Sequence, residues 1–145
     1  MTTHVNPELI DTSSSRAAPG RITRALTTTG ARVLFAVPLA IAGSFHFLHG
    51  DAMAAAVPVP GGIFWVYFTG VALVAGSIGI LSGILGRSAA FGLAALMLTF
   101  VLTVHLPGLG NPQMAQMAMV GLIKDLALAG GALALAGQLG NRRRS

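Results

Sequence analysis

Two kinds of residue are missing or scarce. There is no cysteine in the 145 residues. That excludes disulfides, thiolate nucleophiles, cysteine-ligated zinc and iron–sulfur clusters. An electron relay through CxxC pairs is excluded too, so any redox role must use a bound cofactor or substrate. Charge is the second shortage. Only 9% of residues are Asp, Glu, Lys or Arg, against about 25% in a soluble domain. Hydrophobic residues make up 54%, with 19 glycines besides. A soluble protein this small must cover a large surface with polar groups, and this chain lacks them. The composition argues against a water-soluble fold and for a membrane protein.

What is present falls into blocks. Residues 1–30 are rich in Thr, Ser, Pro and Gly and have no apolar period, which reads as a disordered cytoplasmic N-terminal tail. Beyond Arg32, residues 33–50, 52–86, 88–123 and 126–141 hold no Asp, Glu, Lys or Arg. Breakers such as VPVPGG (Val57–Gly62) and PGLGNP (Pro107–Pro112) divide this region. The expected spans are about 31–48, 63–85, 88–106 and 114–138. Each is close to the ~20 residues that cross a ~30 Å hydrocarbon core as a helix. No segment alternates as a membrane barrel strand would. The expected fold is an all-α membrane protein, a four-transmembrane-helix up-down bundle over 31–138, followed by a short basic cytoplasmic tail, 139–145. The run AMAAA at 52–56 imitates a leader-cleavage site, but the polar lead is too long and His46, His49 and Asp51 interrupt the approach.

The net charge of +5 reads as a topology signal rather than a nucleic-acid footprint. Arg16, Arg21, Arg24, Arg32, Arg87, Arg142, Arg143 and Arg144 all fall at one end of an up-down bundle, and the two opposite loops carry no Lys or Arg. The positive-inside rule then puts both termini in the cytoplasm of a bacterial inner membrane. Small residues within the spans, including the Gly79–Gly83 GxxxG step, read as internal helix packing, with a homo-oligomer seam as the alternative.

Ionisable groups inside a membrane are costly and mark candidate sites. Here they are His46, His49, Asp51, His105, Lys124 and Asp125, all in the half of the bundle away from the arginines. Asp125 can accept from a histidine. Lys124 can reach Asp51 or snorkel outward. As adjacent helical residues, Lys124 and Asp125 point about 100° apart and face each other poorly. A network that only fixes the bundle is the competing reading. His46 and His49, spaced i, i+3, would share a face with the helix continued that far, but the three histidines lack a fixed ligand motif, which speaks against metal or haem. Met114, Met117 and Met119 read as core filling rather than a copper site. Trp65, Tyr67 and Phe68 read as an interfacial belt ahead of a quinone border.

Three segments carry a resemblance. GSFHFLHG (Gly43–Gly50), LTVHLPG (Leu102–Gly108) and LIKDLALAGGALALAG (Leu122–Gly137) resemble, in order and spacing, the first, third and fourth helices of DoxX-like membrane proteins. The chain departs from that pattern at Asp125, where much of the group has Asn, and in its GNRRRS ending. The resemblance implies a four-helix inner-membrane bundle. Some members are linked to quinone-coupled oxidoreductase systems, including a thiosulfate:quinone oxidoreductase subunit, quinone detoxification and a membrane-associated oxidoreductase complex. His46, His105, Lys124 and Asp125 are the family-like positions. The leading expectation is a redox-associated membrane component that binds a quinone or similar apolar ligand near the outer leaflet, with a membrane or soluble oxidoreductase partner. The alternative is a non-enzymatic anchor or accessory subunit. No nucleotide-binding glycine motif, flavin site or nucleophile–base pairing is present to name a substrate.

Overall fold

The computed structural model describes residues 20–56 and 61–141. The expected disordered tail up to residue 19, part of the VPVPGG breaker and the terminal arginines lie outside the described residues. Among the described residues there are no strands, and four helices are long and apolar enough to cross a membrane. They are α1 (Arg21–Leu48), α3 (Ile63–Ser82), α4 (Gly86–Gly108) and α5 (Ala115–Asn141); a short α2 (Gly50–Ala56) joins α1 to the α3 region. The chain is a multi-pass membrane protein of four apolar helices.

The ends of these helices differ from the expected bounds for local reasons. α1 starts ten residues before Ala31, so residues 21–30 are helical rather than tail. The threonines that suggest a tail are accommodated inside the helix. Thr27 and Thr28 donate back to the carbonyls of Thr23 and Arg24, at 2.8 and 2.6 Å, the local bonding that lets hydroxyls sit within helices. A wide π turn, Leu26–Gly30, joins this stub to the apolar part. α3 stops at Ser82 because Gly83 takes the left-handed conformation (φ 73°) and gives its N–H to Gly79 C=O at 3.1 Å, a glycine C-cap. Leu85 is left-handed as well (φ 55°), an unusual state for a side chain that size. α4 then begins at Gly86, so Arg87 lies in its first turn and not in the connection.

Helices adjacent in sequence pack along their lengths, α1 on α3, α3 on α4 and α4 on α5. α1 and α5 meet more sparingly, with the Phe35 ring resting over Gly131. One core joins all four: Ala36 and Leu39 of α1, Leu73 and Ile80 of α3, Ala90, Leu93 and Met97 of α4, and Ala129, Leu135 and Ala136 of α5. Alanine recurs in this core because in lipid the helices associate by near approach of backbones and not by expulsion of water. α1 and α3 cross with their backbones close together. A Cβ at Gly43 would fall 2.9 Å from Leu73 Cβ and 3.0 Å from Gly70 O. Gly79 likewise meets Ala89, whereas Gly83 is the cap of α3. The GxxxG step therefore divides into one packing residue and one terminator. Leu34, Val71, Leu102, Val120 and their neighbours stay exposed and form the surface that contacts the bilayer.

Candidate functional site

The up-down path carries Arg21, Arg24, Arg32 and Arg87 to one end and His46, His49 and His105 to the other. On α4, the approach to the histidine end is irregular. Pro107 has no N–H to give the carbonyl four residues back, at Thr103, and its ring would crowd that oxygen. The turn Val101–His105 widens into a π turn in which Leu106 N–H reaches Val101 C=O, five residues back. The extra residue in this turn rotates the remainder of α4 by about 100° relative to a regular helix.

His105, the last residue of that turn, faces α5. Its Nε2–H donates to Asp125 Oδ2 at 2.9 Å. Asp125 is 2% exposed and is among the largest fully buried side chains of the described protein. Its second oxygen, Oδ1, lies 3.3 Å from Lys124 Nζ. The carboxylate thus accepts a hydrogen bond on one oxygen and is ion-paired at the other, and no buried side-chain nitrogen or oxygen among the described residues lacks a partner. Burial of such a group is tolerated only with this degree of pairing.

The Lys124 contact corrects the expectation that neighbouring helical residues look past each other. The four-carbon stem curls back far enough to bring the ammonium to Oδ1, while 63% of the side chain remains exposed. Asp51 is not its partner. Gly121, which sequence reasoning does not single out, completes the site. It stands one turn before Asp125 on the same face of α5. The imidazole of His105 lies directly over it: a Cβ there would fall 2.6 Å from Nδ1 and 2.8 Å from Nε2. Only a bare backbone lets the ring reach the carboxylate. The i, i+4 spacing of a glycine and a buried acid is the available signal.

The other candidates do not join this group. His46 donates its Nδ1–H to Ala42 C=O at 2.8 Å, one turn earlier in its own helix, and its Cβ packs against Gly70. The regular helix ends before His49, its C-cap (φ −127°), whose N–H closes the last turn on Phe45 C=O at 2.9 Å. His49 is exposed, edge-on to Phe45 with ring centroids 5.8 Å apart. Asp51 is exposed in the first turn of α2, where the helix dipole favours a negative charge. Among the described residues no three of His, Asp and Glu converge as a metal would require. Met117 and Met119 are exposed rather than core. Trp65 and Phe68 cluster with Phe64 at the same end of α3, and Tyr67 stacks on Phe47 with centroids 5.9 Å apart.

The site therefore consists of an imidazole oriented by a buried carboxylate, with an exposed ammonium on the carboxylate's other oxygen. With Nε2 bound to Asp125, the neutral ring presents Nδ1 as its acceptor. Such an arrangement can hold an oxygen-bearing ligand or exchange a proton with it.

No curated protein and no solved structure matches the chain at significance. The sequence model of the DoxX family matches residues 27–106. The matched region takes in His46 and His105 and stops short of Lys124 and Asp125. It covers more than half of the chain, and with the four apolar helices it identifies this protein as a member of the DoxX family of membrane proteins.

Proposed function

We propose that this protein is a redox-associated component of the bacterial inner membrane that binds a quinone or a similar apolar ligand at the His105–Asp125–Lys124 group. One observation carries the reading: a carboxylate 2% exposed is held between an imidazole and an ammonium at the histidine end of an otherwise apolar bundle. The donor set fits such a ligand. Lys124 has N–H donors for a ring oxygen, and His105 has a nitrogen that can take up or return a proton as the ring changes oxidation state. A bound quinone would supply the electron chemistry, and the residues would hold the ring and exchange the protons. The arginine end belongs in the cytoplasm by the positive-inside rule, which puts the site near the outer leaflet.

Protein purified in native lipid and extracted with organic solvent should yield a quinone in fixed ratio to the chain, and Asp125→Asn should lower that ratio while the helices remain folded. A ratio no higher than that of the surrounding lipid would refute the reading. A structural role has its own support, since one Asp125 oxygen is hydrogen-bonded and the other ion-paired within the protein. In that case Asp125→Asn would unfold the bundle and leave the extracted quinone at the lipid background throughout. Co-purification from native membranes tests for an oxidoreductase partner of either kind.

A further inference from the structure

Lys124 is the anomaly of the membrane surface. It stands nine residues into α5, roughly 14 Å along the helix at ~1.5 Å per residue. Its exposed neighbours are Met117, Val120 and Ile123, at 76, 63 and 59% exposure. A cation among such residues at this depth is costly, and lysines so placed ordinarily stretch toward the interface. This one does not stretch away. Its ammonium is drawn to the Oδ1 of Asp125 at 3.3 Å. An ammonium has three donors, and Asp125 is its ion-pair partner among the described residues. These donors sit at the lipid-facing edge of a buried carboxylate, flanked by apolar side chains.

We propose that Lys124 is an oxygen-acceptor seat loaded sideways from the bilayer. It takes a carbonyl or phosphoryl oxygen of a molecule dissolved in the membrane, and Asp125 holds the ammonium in place behind it. The proposal rests on the ligand-site reading above and adds the direction of access and the residue that selects the ligand. The chemistry of an oxygen acceptor on a lipid-soluble body fits a quinone carbonyl and a phospholipid headgroup alike. His105, with its side chain 17% exposed, lies behind the seat on the other carboxylate oxygen. A ligand oxygen therefore meets the lysine first.

The test uses the full chain in nanodiscs and a photoactivatable azidoquinone with a decyl tail, followed by peptide mapping. Labelling should fall on α5 near Lys124. Decylubiquinone should compete according to its mole fraction in the bilayer. A sulfonated benzoquinone confined to water should not compete. Lys124→Met should weaken labelling by about 10- to 150-fold, the value of one charge-assisted hydrogen bond, and Lys124→Arg should restore most of it; the arginine variant also serves if the methionine one does not fold. Equal competition by the water-soluble compound would overturn sideways access while leaving the ligand site standing. Absence of labelling on α5 would overturn both readings. Displacement by added phosphatidylglycerol but not by decylubiquinone would support the seat and overturn the quinone. A shift of Lys124→Met from dimer to monomer would mean that a second copy covers the lysine, and would overturn the proposal.

Discussion

The contact between Gly121 and His105 gives a quantitative test of the site. In Gly121→Ala the new Cβ would lie 2.6 Å from Nδ1 and 2.8 Å from Nε2. Carbon atoms in ordinary contact are ~3.5–4.0 Å apart, so the ring must retreat by roughly 1 Å. The His105–Asp125 bond, now 2.9 Å, would then exceed the ~3.2 Å limit of a useful N–H···O bond. Loss of a hydrogen bond to a charged group costs about 1.5–3 kcal/mol, and the overpacking adds about 1–3 kcal/mol. Replacing a helical glycine by alanine returns about 0.5–1 kcal/mol. The net expectation is destabilisation by about 1.5–5.5 kcal/mol. A matched control lies nine residues further along the same helix. Gly130 has nothing within 4 Å of its would-be Cβ, so Gly130→Ala should be neutral or slightly stabilising. The assay is denaturation in detergent micelles followed by circular dichroism, with the imidazole nitrogen resonances of His105 read by NMR. In a His105→Ala background the ring is gone, and Gly121→Ala should cost nothing; the cycle isolates the pair. If Gly121→Ala is as stable as Gly130→Ala and leaves the imidazole resonances unmoved, the reasoning is wrong.

Three further outcomes are expected. Asp125→Leu should destabilise by about 1–3 kcal/mol more than Asp125→Asn in the same assay, because only the amide retains an acceptor for Nε2–H of a half-buried imidazole. Gly43→Ala should cost about 1–3 kcal/mol, since its Cβ would meet the Gly70 backbone at 3.0 Å and cannot be relieved by a rotamer change; equal stability to the parent would mean that α1 and α3 do not cross there. A single cysteine placed at Asn111 should react with a membrane-impermeant maleimide in intact spheroplasts, and one at Gly20 only after lysis. The native chain contributes no background because it has no cysteine. The opposite labelling pattern would invert the proposed orientation.

Helix number and depth are legible in the sequence, while the direction each residue faces is less so. Blocks without charge define four spans, since a membrane demands long apolar helices and permits little else. Depth along each span comes from counting residues, and it places His105, Lys124 and Asp125 at the same end. Azimuth depends on packing and on local breaks. The π turn before Pro107 turns His105 toward α5, and the regular helix of α1 ends before His49. A histidine bond to Asp125 is expected from the need to pair a buried acid, but nothing in the spacing selects His105 over His46. The lysine misleads because backbone geometry alone separates adjacent residues, whereas a four-carbon stem can bend back. Gly121 is hidden among the many glycines because its importance lies in the ring above it. The start of α1 is obscured because threonine-rich sequence resembles a linker unless its hydroxyls are seen to bond within the helix.

The half of the bundle nearer the arginines has a consequence for the proposed proton exchange. Among the described residues the buried polar side chains are Thr69, Ser77 and Asp125. Of these, Ser77 alone lies toward the arginine end, and its hydroxyl donates to Leu73 C=O at 2.7 Å within its own helix. Among the described residues, then, no chain of buried titratable groups or hydroxyls connects Asp125 with the arginine end. On the proposed reading, protons exchanged at His105 would return to the compartment they came from. A reaction at this site would be electroneutral with respect to the proton gradient: it could alter the redox state of a membrane pool without charging or discharging the membrane.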